Sequence, residues 1–94
     1  MEFEWDETKN QMNIKKHGIS FEQAKTIFNY QVLNQTNDRY DYGEIREISL
    51  GLLKGRTIIA VVHTTREDKL RIISARKANK NEREAYNELT RKDN

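Results

Sequence analysis

The sequence predicts an α+β domain, in which an antiparallel β-meander carries an N-terminal strand and two short packed helices and is followed by a C-terminal helix. Three observations carry this reading. Residues 44–76 hold three strand-like runs, Glu44–Leu52, Ile58–Val62 and Leu70–Ser74, parted by polar turns at Lys54-Gly55 and Arg66-Glu67-Asp68-Lys69. Helix start and stop signals bracket the stretches after Asp6 and after Ser20. An asparagine-capped stretch with a narrow apolar stripe closes the chain. The 94 residues make one domain, 1–94, divided into a strand and helical hairpin (1–29), a meander (44–76) and a C-terminal helix (79–91).

Taken in order, Phe3-Glu4-Trp5 alternates apolar and polar residues and suits a short strand, with Phe3 and Trp5 on one face. Asp6 stands where an N-cap belongs, and Met12 and Ile14, with the stem of Lys16, give the following helix a weak apolar pattern. His17-Gly18 ends it, because glycine supplies the left-handed residue after a helix and a histidine in the last turn suits its negative end. Ser20 and Gln23 form a capping box for a second helix to about Asn29, with Phe21, Ala24, Ile27 and Phe28 as core. Val32-Leu33 is compatible with a short strand, whereas the polar stretch Asn34–Gly43, with turn signals at Asn37-Asp38 and Asp41-Tyr42-Gly43, reads as a loop. In Glu44–Leu52 period two places Arg46, Ile48, Leu50 and Leu52 on one face. The two β-branched runs from Thr57 onward form a hairpin. Asn79 and Glu82 resemble a capping signature for a helix to about Leu89, with Ala85, Tyr86 and Leu89 as its stripe and Arg91–Asn94 as a fraying end.

Composition excludes several classes. There are no cysteines, hence no disulfide framework and no cysteine-based zinc site, and the two histidines, His17 and His63, lie far apart in sequence, so no metal site is expected. The longest apolar run is five residues, against the roughly 20 needed to span a bilayer. The acidic opening lacks the order of a signal peptide, so a cytoplasmic location is expected. No glycine-rich phosphate loop or nucleophile elbow points to a small-molecule enzyme, and no cofactor is expected. Charge is uneven: residues 1–44 carry five Lys/Arg against eight Asp/Glu, residues 66–94 nine against six. A basic C-terminal half fits nucleic-acid contact and fits a solvated surface equally. The hairpin concentrates the cations, with His63, Arg66, Arg71, Arg76 and Lys77 at or near strand ends, and such a rim on apolar strands can form an anion site.

One set of residues begins with Phe3-x-Trp5-Asp6, Lys9, Asn13, Lys16-His17-Gly18, Phe21, Ala24 and Phe28. It continues with Glu44-x-Arg46, Gly51, the run Val61–Arg66, the run Arg71–Ala78, Glu82-Arg83 and Tyr86. Through these residues, across nearly its whole length, the chain resembles the BrnT family of toxins from bacterial type II toxin–antitoxin pairs. The resemblance implies a RelE-like fold and a small endoribonuclease that inhibits translation and growth. It also implies neutralisation by a BrnA-type antitoxin whose ribbon-helix-helix domain binds DNA, in a heterotetramer of two toxins and two antitoxins that represses its own operon.

Metal-independent RNA cleavage requires that a 2′-hydroxyl lose a proton, that charge on the phosphorane-like transition state be stabilised, and that the leaving 5′-oxygen gain a proton. His63, Glu44 and Glu47 are of the types that shuttle protons. Arg66, Arg76, Arg46, Arg71 and Lys77 offer fixed positive charge, arginine through a planar fork that matches phosphate. Catalytic roles are therefore expected of His63, Arg66, Arg76 and Glu44, and RNA binding of Arg46, Arg71 and Lys77. Each has a plain counterpart. His63 can be a structural histidine bonded across the hairpin, Arg66 a solvated turn residue, and Glu44 with Arg46 a surface ion pair of little energetic weight. Trp5 and Tyr86 are read as packing residues, base stacking being the alternative. The rival to a nuclease is a non-catalytic module whose basic rim docks a protein partner or DNA.

Overall fold

The structure, a computed structural model, describes residues 1–41 and 44–92. Five strands form one sheet in the order β1-β5-β4-β3-β2, with β1 at Glu2–Glu4, β2 at Leu33–Asp41, β3 at Glu44–Leu53, β4 at Thr57–Arg66 and β5 at Lys69–Lys77. The predicted α+β class and the meander are as read from sequence. Between β1 and β2 lie α1 (Glu7–His17) and α2 (Phe21–Ala24), which runs on as a 3-10 turn over Lys25–Asn29; α3 (Lys80–Lys92) closes the chain.

Three elements differ from expectation. Leu33–Asp41 is a strand rather than a loop, paired antiparallel to β3 with an irregularity between Thr36 and Tyr40. An edge strand satisfies its backbone on one side and tolerates polar residues, so the ladder to β3 overrides the local turn signals. Of the expected turn Asp41-Tyr42-Gly43, Tyr42 and Gly43 lie outside the described residues. The N-terminal strand spans Glu2–Glu4, leaves out Trp5, and lies parallel to β5. The last helix keeps Arg91 and Lys92, where fraying was expected.

Both hairpin turns place two consecutive residues at positive φ, Lys54 (54°) with Gly55 (67°) and Glu67 (49°) with Asp68 (67°). Such turns twist in the same sense as the strands they join. The β4–β5 ladder carries one further irregularity. Ala60 and Val62 face Arg76 and Ser74, yet His63 and Thr64 face Ile72 and Arg71, so Ile73 is the extra residue of a β-bulge.

The sheet is covered on both sides. Phe21, Ala24 and Ile27 from α2 and its 3-10 turn pack on Ile59, Val61, Ile72 and Ala75. A Cβ built on Gly51 would stand 2.8 Å from Cβ of Ile27, so the missing side chain lets the 3-10 turn approach β3. On the other side Tyr86 of α3 covers Leu50 and Ala60, flanked by Leu33, Ile48, Leu52 and Ile58.

Helix α1 is capped as expected: Asp6 accepts from the Lys9 N–H, and Gly18 stands at φ 72° with its N–H on the Ile14 carbonyl. Its docking is not as expected. Met12 is 64% exposed and Ile14 37%, while the buried residues of the helix are Asn10 and Asn13. The Asn13 side chain accepts from Ala75 N–H (3.1 Å) and donates to the carbonyls of Ala75 (2.9 Å) and Ile19 (2.8 Å). Asn10 Oδ1 accepts from Phe21 N–H at 2.8 Å. The first amide stands in for a neighbouring strand along the part of the β5 edge that β1 leaves unpaired.

Asn13→Ala strands three buried backbone groups and is expected to cost about 2–4 kcal/mol. Met12→Ala is expected to cost within about 0.5 kcal/mol. Urea unfolding of the two variants checks the contrast.

Candidate active site

Register and alternation assign a side to every candidate. The even-numbered positions of β4 share the α3 side of the sheet, and their partners on β5 are Lys69, Arg71, Ser74 and Arg76. In a regular strand Arg71 and Arg76, five residues apart, would point to opposite sides; the extra residue at Ile73 brings both to the same one. Glu44 and Arg46 of β3 belong to this side too, in phase with Ile48 and Leu50.

Four cations on this side are each held by a carboxylate. Arg66 Nη2 lies 3.0 Å from Glu44 Oε1, Arg71 Nη1 3.0 Å from Glu4 Oε2, and Lys69 Nζ 3.8 Å from Glu2 Oε2. Arg76 makes a two-pronged pair with Glu82, its Nη1 at 2.7 Å and its Nη2 at 3.0 Å. The Glu82 side chain is 10% exposed, and its Oε1 also accepts from the Asn79 N–H (2.8 Å), while Asn79 Oδ1 accepts from the Glu82 N–H (2.8 Å). One carboxylate therefore closes the capping box of α3 and fixes Arg76. Hydrogen bonding to Arg76 holds the Glu82 carboxyl below its ordinary value against the opposing effect of burial, and the same pair raises the Arg76 guanidinium. Glu44, for which a surface pair with Arg46 was the plain alternative, pairs with Arg66.

His63 and Lys77 lie on the opposite side, in phase with Val61 and Ala75. His63 is 5% exposed. Its ring meets the edge of Phe28 at 5.4 Å between centroids, and Nε2 lies 2.7 Å from Ser49 Oγ. The Ser49 hydroxyl donates to Asn34 Oδ1, which makes Nε2 the protonated nitrogen and leaves a bare Nδ1, buried with no partner among the described residues. A neutral ring tolerates this, whereas a second proton would have no acceptor. Burial lowers the His63 pKa, opposed by the charge of Glu47, its cross-strand partner. The structure thus sets Arg46, Arg66, Arg71, Arg76 and Glu44 on one side of the sheet, Arg66 with Glu44 toward one end and Arg76 with Glu82 toward the other, and His63 and Lys77 on the opposite side.

Sequence reasoning missed Glu4 and Glu82 as arginine partners and Ser49 and Asn34 as partners of the histidine. The spacing of Asn79 and Glu82 was a visible signal for the cap, though not for the arginine. Trp5 packs edge-on to Phe21 at 6.2 Å and Tyr86 is buried with its hydroxyl on the Gln31 carbonyl (3.2 Å), so both serve packing. Among the described residues no group of three or more His, Asp or Glu side chains is placed to hold a metal ion.

Because the His63 pKa is lowered on folding, the unfolded chain binds the proton first. Its contribution to stability is full above the ordinary histidine value of about 6.5 and shrinks as pH falls below it. His63→Gln, which does not titrate, is expected to flatten the fall in melting temperature between about pH 7.5 and pH 5.5, read by calorimetry at both limits.

Comparison with known proteins bears on this arrangement. The family model described as the ribonuclease toxin BrnT of type II toxin–antitoxin systems matches residues 5–82. The 1.1 Å crystal structure of the Brucella abortus ribonuclease toxin BrnT is similar at TM-score 0.63 and 31% identity, over 85% of this chain and 99% of that one. No curated protein matches the chain. The matched span runs from Trp5 to Glu82 and takes in every strand but β1, both N-terminal helices and the pair of Arg76 with Glu82; the chain belongs to the BrnT family of ribonuclease toxins of type II toxin–antitoxin systems.

Proposed function

We propose that the chain is a metal-independent endoribonuclease that cleaves RNA in the cytoplasm and so inhibits translation and growth. In this reading a BrnA-type ribbon-helix-helix antitoxin neutralises it, two toxins to two antitoxins, and the complex represses its own operon. DNA is reached through the antitoxin alone. The observation that carries the nuclease reading is the placement of Arg66, Arg71 and Arg76 on one side of the sheet, with Glu44 against Arg66.

The chemistry distributes as follows. Glu44, whose side chain is 20% exposed, takes the proton of the 2′-hydroxyl. The 2′-oxygen attacks the adjacent phosphorus, the bond from phosphorus to the 5′-oxygen breaks, and that oxygen leaves as a hydroxyl with a proton from solvent. The products are a 2′,3′-cyclic phosphate and a 5′-hydroxyl end. Arg66, paired with Glu44, faces the charge that develops on the phosphoryl oxygens, and Arg71, Arg46 and Arg76 hold flanking phosphates along the same side of the sheet. Glu82 keeps Arg76 in place before substrate arrives, so the guanidinium loses little rotamer freedom on binding. His63, buried on the far side, ties β3 to β4 through Ser49 and takes no part in proton transfer.

The isolated chain, incubated with a defined RNA in EDTA, is expected to yield cyclic phosphate ends. Arg66→Ala is expected to lower kcat/KM by about 10²–10³-fold, the usual loss for one donor to a developing charge, with an unchanged far-UV spectrum. Absence of cleavage together with tight binding of a protein partner would leave the non-catalytic docking module as the reading. A Glu82→Gln variant, which weakens the grip on Arg76 but keeps an amide oxygen for the Asn79 N–H, is expected to lower kcat/KM less than Arg66→Ala and to cost about 1 kcal/mol of stability through the lost charge on the pair.

A further inference from the structure

A second cationic site lies on the side of the sheet that carries α1 and α2, at the end where β5 leaves it. Where the C-terminal end of α1, the β3–β4 turn and the end of β5 meet, a concavity of about 450 Å³ is lined by His17, Lys54, Arg56 and Lys77, with Gln23 and Thr57 as further polar groups. No carboxylate lines it among the described residues. Lys54, Arg56 and Lys77 are exposed, and the ion pairs of the described residues involve none of the four. This is the reverse of the α3 side, where the cations are matched by Glu2, Glu4, Glu44 and Glu82. The four pairs on the α3 side cancel in place, whereas Lys54, Arg56 and Lys77 stand at the concavity with no ion pair among the described residues.

The apolar members of the lining do not offer anchors: Ile19 is 4% exposed and both Ile19 and Leu53 belong to the core. A protein partner docks through large apolar side chains in desolvated pockets, and this concavity presents ammonium, guanidinium, hydroxyl and amide groups instead. Phosphodiester oxygens need only those. The rim is also continuous with the proposed active site, because Lys77 follows Arg76 directly and points to the other side of β5. A strand of RNA that leaves Arg76 and passes over the end of β5 meets Lys77 next.

We propose that the concavity formed by His17, Lys54, Arg56 and Lys77 binds the phosphate backbone of single-stranded RNA flanking the cleavage point. The inference rests on the nuclease reading for its substrate. It adds a footprint several nucleotides long and assigns roles to Lys54 and Arg56 that the cleavage chemistry does not use.

The test uses 2′-O-methyl oligonucleotides, which cannot form the cyclic phosphate, of roughly 4 and 12 nucleotides. Binding to the full chain is measured across a series of salt concentrations. The triple variant Lys54→Gln/Arg56→Gln/Lys77→Gln is expected to bind the longer oligonucleotide about 10–100-fold more weakly. Its plot of log affinity against log salt is expected to be shallower by about 2, given ~0.7 per phosphate contact on a single strand. The gap in affinity between the two lengths closes, and the charge-conserving variant Lys54→Arg/Lys77→Arg keeps it. An unchanged slope in a triple variant that melts like the parent overturns the proposal. Intact RNA binding with lost affinity for the antitoxin overturns it as well, and makes the rim an acidic protein's docking site. Cleavage of unmodified RNA by the parent chain is scored separately. A parent that binds the longer oligonucleotide with the steep slope yet cleaves nothing refutes the nuclease reading and leaves the track standing.

Discussion

The arrangement of the proposed site depends on the β4–β5 ladder and on the single residue that breaks its alternation. Strands dictate sides by parity, so two arginines five positions apart serve one surface only if a residue is inserted between them. Ile73 is that residue. Downstream of it Ala75 turns to the helical layer and Arg76 to α3; upstream Ile72 turns inward and Arg71 outward. The bulge reconciles an apolar core on one side with a row of guanidiniums on the other, along a strand of nine residues.

Charge is distributed by the same geometry. The acidic residues of the N-terminal segment are placed against the cations of β5 because β1 runs alongside it, setting Glu2 opposite Lys69 and Glu4 opposite Arg71. Glu82 reaches Arg76 because the chain turns into α3 directly after β5, with the cap at Asn79. Most of these pairs are partly exposed and contribute little to stability. Their effect is to hold extended side chains in fixed positions along one side of the sheet.

Much of this fold was legible in the sequence, since β-branched runs, polar turns and capping residues each act locally. The Ser20–Gln23 and Asn79–Glu82 boxes, the Gly18 stop, the two hairpin turns and the buried set Phe21, Ala24 and Ile27 are of that kind. What escaped depends on partners distant in the chain. β2 exists because β3 offers it a ladder, not because Asn34 and its neighbours favour extension. The side on which His63 falls was open as long as it was treated as one of several basic residues at a rim; its burial against Phe28 and Ser49 follows from register. The bulge has no signature of its own in Arg71–Arg76, a run without glycine. That Arg46, Arg66, Arg76 and Glu44 lie on neighbouring strands was accessible from strand order, and that His63 and Lys77 fall on the opposite side was not.

Asn13 gives α1 an unusual thermodynamic character. A helix docked by leucines is held by a force that fades on cooling and carries a large heat-capacity increment. α1 instead lays an amide along the β5 backbone and leaves Met12 in water, so its attachment exposes little apolar surface when it is lost. The grip of this helix on the sheet is accordingly directional rather than greasy. It admits one register along β5, and it varies less with temperature than the core formed by Phe21, Ile27 and Ile59 beside it.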